Sequence, residues 1–315
     1  MLPPRDALRA LLRSLFDYAG LFPPAARTVD AAAGAYGLAR RGPHDWMLGS
    51  FVVSLTELDA LVAARERVAG STAWPVSVLV GEAGEEQAVR LRQERDRCAG
   101  KLVLGAVEVA PLRAEEIPGA AARLPADVQT FFESPIDDAL EARLDAIAVA
   151  GACAKVRMGG VVPAAFPDVD RVARFVAGCK RRGLPFKATA GLHHPLRGAQ
   201  PVTYEDDSPS VVMHGFLNLA VASALLDAGA LEPSRVAAVL AEEEASAFRA
   251  NGRELAWREL HADLPQIERC RRSFFCSVGS CSFDEPVADL RALGLLDVAE
   301  PVLAAGVPGE SGVAG

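Results

Sequence analysis

Residues 152–195 read ACAKVRMGGVVPAAFPDVDRVARFVAGCKRRGLPFKATAGLHHP, and this stretch contains one complete strand–helix–strand unit. The runs ACAKVRMGG (152–160) and PFKATAGLHHP (185–195) are short, apolar and bounded by glycine or proline, as β-strands are. Between them, DVDRVARFVAGCKRRG (168–183) has the apolar spacing that is typical of an amphipathic helix. This alternation predicts parallel strands that are covered by helices.

The same alternation extends over most of the chain. Six further strand-like runs each precede a helical run: SLFDYAGLF (14–22), WMLGSFVVS (46–54), WPVSVLVG (74–81), KLVLGAVEVAP (101–111), VQTFFESP (128–135) and SFFCSVGSCS (273–282). Eight strand–helix pairs close a (β/α)8 barrel. An open doubly wound sheet normally follows its first strand with a glycine-rich phosphate loop, whereas this chain has GLFPP there. The sequence therefore predicts an α/β fold, a single (β/α)8 TIM barrel over residues 1–315.

Two segments do not fit the eight pairs. Residues 231–272 are too long for one barrel helix, and we interpret them as a helical insertion between strands seven and eight. A short ordered piece is expected around AFRANGRELAWRE, and the insertion would serve as a lid or an oligomer contact. Residues 301–315 are rich in Gly, Ala and Val and are predicted to form a flexible tail.

Composition and charge narrow the class of protein. The chain has 315 residues, half of them hydrophobic, and a net charge of −8, which predicts neither nucleic acid nor an anionic membrane as a partner. The opening residues lack signal-peptide features, and no apolar run approaches the roughly 20 residues of a membrane span. Six cysteines without CxxC spacing favour a reduced, cytoplasmic protein over a zinc or disulfide scaffold. We expect a small-molecule substrate and no cofactor, and a homo-oligomer is compatible with the sequence.

Polar residues late in the predicted strands are the candidates for a functional site. The carboxyl ends of barrel strands form the functional face, and inward-pointing charges from successive strands must converge there. These candidates are Asp17, Glu108, Glu133, Lys155, Arg157, Lys187, His193, His194, Gly279 and Ser280.

Lys155 and Lys187 lie one strand–helix unit apart and are the most informative pair. Burial and repulsion between two ammonium groups both lower a lysine's pKa towards neutrality, and the free amine can form a Schiff base with a carbonyl compound. We interpret Lys155 as the nucleophile and Lys187 as the neighbouring charge, with Glu108 or Glu133 transferring protons. The alternative is that the lysines pair with these two glutamates in a buried ionic network.

These runs resemble the deoxyribose-phosphate aldolase branch of the class I aldolases, which are Schiff-base TIM barrels. AKVRMGG, with Lys155, stands where that family has its Schiff-base lysine on strand six, and FKATAGL, with Lys187, resembles its strand-seven lysine run. Glu108 in GAVEVAP and Glu133 in FFESP match its acidic residues on strands four and five. FDYAGL, with Asp17, and VGSCS are similar to its first and eighth strands.

The resemblance implies a carbon–carbon lyase acting on a small carbonyl or sugar-phosphate-like substrate. LHHPLRG, with His193 and His194, has no counterpart in that family. From their places at the ends of the predicted strands, we predict as substrate-binding residues Asp17, Arg157, His193, His194, Gly279 and Ser280. Arg157 and Met158 depart from the family, which has small hydroxyl residues after its catalytic lysine, and Glu108 stands where the family has aspartate.

Two other functions remain open from the sequence. A metal-dependent hydrolase or isomerase would use Glu108, Glu133, His193, His194 and His214, although no HxH or HExxH spacing supports a metal site. A non-catalytic barrel would act as a binding protein. For Cys281 we expect a small packed residue rather than a nucleophile, because cysteine is commonly buried and no triad spacing surrounds it.

Overall fold

The computed structural model describes residues 6–70 and 72–296. The predicted tail at residues 301–315 lies outside the described residues. No helix in the two described ranges is long and apolar enough to cross a membrane.

The centre of the molecule is a closed barrel of eight parallel strands, which confirms the predicted (β/α)8 fold. With strands numbered in chain order, the barrel strands are β1 (Phe16–Tyr18), β2 (Leu48–Ser54), β3 (Trp74–Leu79), β4 (Leu102–Val109), β5 (Gln129–Glu133), β6 (Cys153–Arg157), β7 (Phe186–Thr189) and β13 (Phe275–Ser280). Each strand pairs with its sequence neighbour in the barrel, and β13 closes the ring against β1. All eight predicted strand positions are correct.

Helices lie before β1, between the barrel strands and after the last of them. They are α1 (Asp6–Leu12), α2 (Val29–Ala39), α3 (Leu58–Arg67), α4 (Glu85–Arg97), α5 (Ile117–Arg123), α6 (Leu140–Val149), α7 (Val169–Arg181), α8 (Phe216–Asp227), α9 (Val236–Leu240), α10 (Leu264–Ser273) and α11 (Asp284–Ala292). Short 3-10 turns lie at Asp45–Met47, Leu55–Glu57, Ala114–Glu116, Pro163–Ala165, Pro233–Arg235 and Ala245–Ala247.

Helix α7 illustrates why the helices form where they do. The Asp168 carboxylate accepts a hydrogen bond from the Arg171 backbone N–H at 2.8 Å and so caps the first turn. Its buried residues Val172, Phe175, Val176 and Cys179 recur at helical spacing and form the stripe that packs inward. Lys180 and Arg181 lie in the last turn, where positive charge is favourable.

Two small antiparallel sheets lie in the long connection between β7 and β13. The hairpin β8 (Gly198–Pro201) and β9 (Ser210–Met213) follows β7 directly. A three-stranded sheet follows α9 and is formed by β10 (Phe248–Ala250), β11 (Glu254–Trp257) and β12 (Leu260–Asp263). Within residues 231–272, which were predicted to form a helical insertion, α9 and α10 flank this sheet, and the short ordered piece expected around AFRANGRELAWRE is β-structure.

Candidate active site

The carboxyl ends of the barrel strands surround an open pocket. Its volume, including space continuous with solvent, is about 630 Å³. Residues from β2, β3, β4, β6, β7 and β13 line it, and its polar side chains are Glu108, Lys155, Arg157, Thr189, His193 and Cys281. The pocket therefore lies on the face of the barrel where the sequence places the functional residues.

A buried ionic network forms the floor of this pocket. Glu108 lies between the two lysines: its Oε2 is 2.9 Å from Lys155 Nζ and its Oε1 is 2.7 Å from Lys187 Nζ. Glu133 Oε2 contacts Lys155 Nζ at 2.9 Å, and Asp17 Oδ2 contacts Lys187 Nζ at 2.6 Å. Carboxylates and ammonium groups thus alternate across the barrel.

Strand register places these side chains together. Lys155 is the register partner of Glu133 on one side and of Lys187 on the other, so the three side chains are neighbours at one level of the barrel. Phe131, the register partner of Glu108, holds its ring 5.3 Å from Lys187 Nζ. Ala106 and Cys153 come two residues before Glu108 and Lys155, so they face the same way and lie under the network with Phe131.

Hydrogen bonds from neighbouring strands fix the carboxylates. Ser77 Oγ donates to Glu108 Oε1 at 2.7 Å, and Ser277 Oγ donates to Asp17 Oδ2 at 2.6 Å. The Ser50 backbone N–H donates to Asp17 Oδ1 at 2.9 Å. Gly49 makes this approach possible, since a Cβ at that position would lie 2.5 Å from the same oxygen.

The network shifts the pKa values of Glu108 and Lys187 in opposite directions. Burial alone would raise the pKa of Glu108, but Lys187 and Lys155 outweigh it and hold that pKa far below its usual range. Burial alone would lower the pKa of Lys187, but Asp17 and Glu108 outweigh it and raise that pKa above its usual range.

Lys187 does not stand as an unscreened repelling charge beside Lys155. Glu108 bridges the two ammonium groups, and three carboxylates against two ammonium groups leave one excess negative charge when all are ionised. The ionic network that was the alternative is present, and the role of Lys187 as the charge that acts on Lys155 stays a prediction. The register that makes the lysines neighbours also brings Glu108 between them.

The two lysines differ in their access to the pocket. Lys155 and Glu108 reach its wall, whereas Lys187 is 1% exposed and is enclosed beneath them by Asp17, Glu108 and Phe131. Two carboxylates contact Lys155, and the side chain of Glu133 is 16% exposed whereas that of Glu108 is 2% exposed. Of the network, Lys155 is thus the amine that a molecule in the pocket can reach.

The other predicted substrate-binding residues fall into two groups. Arg157, His193 and Gly279 border the pocket, and Arg157 donates from Nε to the Gly159 carbonyl at 3.1 Å. Asp17 serves as the partner of Lys187, and Ser280 is buried with its Oγ donating to the Ser282 carbonyl at 2.7 Å. Roles of these residues in binding a substrate stay predictions.

The histidines do not converge with the glutamates. His194 Nδ1 contacts Asp289 Oδ2 of α11 at 2.7 Å, and His214 Nε2 contacts the Pro167 carbonyl at 2.7 Å. Glu108 and Glu133 instead form ion pairs with Lys155. Within residues 6–70 and 72–296, no group of three or more His, Cys, Asp and Glu side chains is arranged to hold a metal ion.

One group at the mouth was not predicted from the sequence. Cys281, His193, Glu285 and Tyr204 come from the loops after β13 and β7, from α11 and from the turn of the β8–β9 hairpin, and they meet beside Lys155's pocket. A second pocket adjoins it under that hairpin and shares Pro23, Ala190 and His193 with the first. The only sign of this group in the sequence is that Cys281 and Glu285 lie four residues apart at the end of one predicted strand.

Comparison with known proteins identifies no family for the chain. No protein-family model matches it. No curated protein matches it. Among the solved structures, 36 chains match, including one described as a dihydrodipicolinate synthase family protein from Coccidioides immitis. That chain is 12% identical, with 86% of this chain and 96% of that chain covered and a TM-score of 0.36. The assignment of the fold rests on the strand order and register described above.

Proposed function

We propose that the protein is a carbon–carbon lyase of the aldolase type, in which Lys155 forms a Schiff base with a small carbonyl substrate. The observation that carries the proposal is the position of Lys155: a lysine on the sixth strand of the barrel, at the wall of the mouth pocket, with Glu108 and Glu133 both 2.9 Å from its Nζ. The resemblance of AKVRMGG and FKATAGL to the class I aldolase runs supports the same assignment.

Glu133 is the proton acceptor that fits this chemistry best. Glu108 is buried between two cations and its pKa is held far down, so it stays ionised and keeps the site polarised. Glu133 is more exposed and contacts only Lys155 within the network. It takes a proton from the Lys155 ammonium, and the free amine then adds to the carbonyl carbon of the substrate.

The remaining steps return each proton. Glu133 gives its proton to the hydroxyl of the carbinolamine, which leaves as water, and an iminium forms on Lys155. The bond between the α and β carbons then breaks, its electron pair enters the iminium to give an enamine, and the β-hydroxyl proton goes back to Glu133 as an aldehyde leaves. Glu133 returns that proton to the enamine carbon, which restores the iminium. Water then adds to the iminium carbon and the C–N bond breaks, which releases the second carbonyl product and restores the Lys155 ammonium. Arg157, on the pocket wall, binds an anionic or polar end of the substrate.

Reductive trapping tests the proposal directly. The chain has only four lysines, Lys101, Lys155, Lys180 and Lys187, so peptide mapping resolves every candidate. Borohydride with acetaldehyde, glycolaldehyde, dihydroxyacetone or pyruvate is expected to leave an adduct on Lys155. Lys155→Arg should abolish the adduct, and Lys180→Arg, at an ion pair with Asp227 outside the barrel mouth, should retain it. No adduct, or an adduct on Lys187 alone, would contradict the proposal.

A second measurement separates a lyase from a binding protein. An enamine on Lys155 exchanges the hydrogens next to the carbonyl of the bound ketone or aldehyde with solvent. Incubation in deuterated water, followed by NMR of the carbonyl compound, should show exchange with the wild type and none with Lys155→Arg. Trapping without exchange would favour the non-catalytic barrel.

A further inference from the structure

Cys281, His193 and Glu285 form a thiol–imidazole–carboxylate chain, here called the thiol cluster. Cys281 Sγ is 3.9 Å from His193 Nε2, and the opposite ring nitrogen, Nδ1, is 3.1 Å from Glu285 Oε2. Ser280 Oγ is also 3.2 Å from Nδ1. A base that contacts a nucleophile through one ring nitrogen and is oriented through the other is the arrangement of cysteine and serine triads.

The sulfur lies in surroundings that stabilise a thiolate. Besides His193, the Tyr204 hydroxyl lies 3.7 Å from Sγ, and the Ala25 backbone N–H donates to it. Helix α11 begins at Asp284, three residues after Cys281, so its positive end is close. Tyr18 is a further titratable group that is close enough to interact electrostatically with this sulfur.

The protonation of the cluster follows from these contacts. Burial alone would raise the pKa of Cys281, but His193, then Tyr204 and the Ala25 N–H, bring that pKa below its usual range. Burial alone would lower the pKa of His193, but Cys281 and Glu285 raise it to about 9. The other five cysteines all have raised pKa values, with burial as the largest cause.

We propose that Cys281 is a second nucleophile of the mouth pocket, which adds reversibly to the carbonyl carbon of a small aldehyde. In this step the Cys281 sulfur forms a bond to the aldehyde carbon, the carbonyl π bond breaks, and its oxygen takes the proton from His193 Nε2. The product is a thiohemiacetal beside a neutral imidazole that Glu285 orients. The reverse step returns the proton to His193 and restores the thiolate, so no other reactant is needed.

Access and position fit this chemistry. Cys281 and His193 both line the pocket that holds Lys155, so an aldehyde that enters the barrel mouth meets the sulfur and the imidazole together. The thiol cluster contains no member of the ionic network on the pocket floor. The inference therefore stands apart from the Schiff base on Lys155.

Alkylation kinetics test the nucleophile. Iodoacetamide at neutral pH, followed by peptide mapping over time, should label Cys281 at least about ten-fold faster than Cys276, because a thiolate gains more in population than it loses in intrinsic reactivity. Cys276 is partly exposed and its pKa is raised, so it serves as the internal control. His193→Gln should slow labelling of Cys281 about ten-fold and leave Cys276 unchanged.

The hydroxyl of Tyr204 gives a second variant in case His193→Gln does not fold. The Tyr204 side chain is 56% exposed, and Tyr204→Phe removes one donor to the sulfur, so it should also slow labelling of Cys281. Equal rates for Cys281 and Cys276 in the wild type would overturn the proposal. So would labelling of Cys281 that neither substitution slows.

Protection by an aldehyde tests the substrate class. Glycolaldehyde should slow alkylation of Cys281 in the wild type and equally in Lys155→Arg, and its removal should restore the rate. Borohydride fixes an iminium on lysine but leaves no stable adduct on a thiol, so the two proposals have separate readouts. Protection of Cys281 without a Lys155 adduct would contradict only the Schiff base. A Lys155 adduct without protection of Cys281, or protection that Lys155→Arg abolishes, would overturn the thiohemiacetal.

Discussion

At Lys187, the ammonium group is enclosed by Asp17 at 2.6 Å, by Glu108 at 2.7 Å and by the ring of Phe131. A lysine inside a barrel strand predicts carboxylate partners, and the sequence supplies Glu108 and Glu133 on the strands before β6. Which carboxylate bridges the two lysines depends on side-chain conformation and barrel curvature, which a linear pattern does not encode. The sequence likewise contains no sign that Asp17, predicted to bind substrate, pairs with Lys187.

Lys187→Met should destabilise the protein by about 3–5 kcal/mol, because it leaves Asp17 and Glu108 buried without the cation between them. Lys180→Met is the matched control, since Lys180 is 34% exposed in its ion pair with Asp227 and should cost less than about 1 kcal/mol. Urea unfolding at neutral pH measures both. Equal losses of unfolding free energy in the two variants would mean that the network contributes no more than a surface pair.

At the level of elements, the connection from β7 to β13 was the least predictable part of the chain. Its strands β10, β11 and β12 have three or four residues each, too few to display alternation of apolar and polar side chains. The turn residues Asn251-Gly252 are a hairpin signal that lies between β10 and β11. Arg258 turns the chain between β11 and β12 with φ of 54°, a conformation that favours glycine and gave no sign in the sequence.

Asn218 of α8 ties this connection together. It is fully buried, its Nδ2 donates to the carbonyls of Val239 at 2.9 Å and Glu242 at 2.7 Å, and its Oδ1 accepts from the Arg197 N–H at 3.0 Å. Asn218→Ala should therefore lower the free energy of unfolding by on the order of 3 kcal/mol, because two buried backbone carbonyls and the half-buried Arg197 N–H lose their partner.

Ser223→Ala on the same helix is the control for Asn218. Ser223 is also buried, but its hydroxyl donates only to the Leu219 carbonyl of its own helix at 2.8 Å, so its loss should cost less than about 1 kcal/mol. Thermal or urea unfolding compares the two variants. A loss at Asn218 no larger than that at Ser223 would show that other groups hold α9 and the loop at Arg197 in place.

For the whole molecule, the number and order of the barrel strands could be predicted because each strand–helix unit repeats one local pattern and returns beside its neighbour. It could also be predicted that the charged residues of these strands lie close together, because β4, β5, β6 and β7 are neighbours in space as in sequence. The thiol cluster could not be predicted from the sequence. Its members, at positions 193, 281 and 285, lie in loops and at a helix start, and only the pairing of β7 with β13 in the closed barrel brings them together.

The response of the whole fold to acid should carry a measurable contribution from Glu108. Its pKa in the folded protein lies far below the ordinary value of 4.5, so the unfolded chain binds a proton there that the folded protein does not. The stability that Glu108 contributes is present above pH 4.5 and is lost as the pH falls from there through the folded-state pKa. Lys187, with a pKa raised above 10.5, contributes stability that is full below 10.5 and is lost only at higher pH.

The contributions of Glu108 and Lys187 to the free energy of unfolding are therefore constant across neutral pH, and Glu108 alone steepens the fall of that free energy in acid. Below pH 4.5 the wild-type slope should exceed that of Glu108→Gln by up to about 1.4 kcal/mol per pH unit, the value for one proton. Glu115→Gln, at an exposed pair with Arg113, should keep the wild-type slope. Urea unfolding of the three proteins from neutral pH into acid measures the slopes, and parallel curves for the wild type and Glu108→Gln would show that Glu108 is not held ionised by the fold.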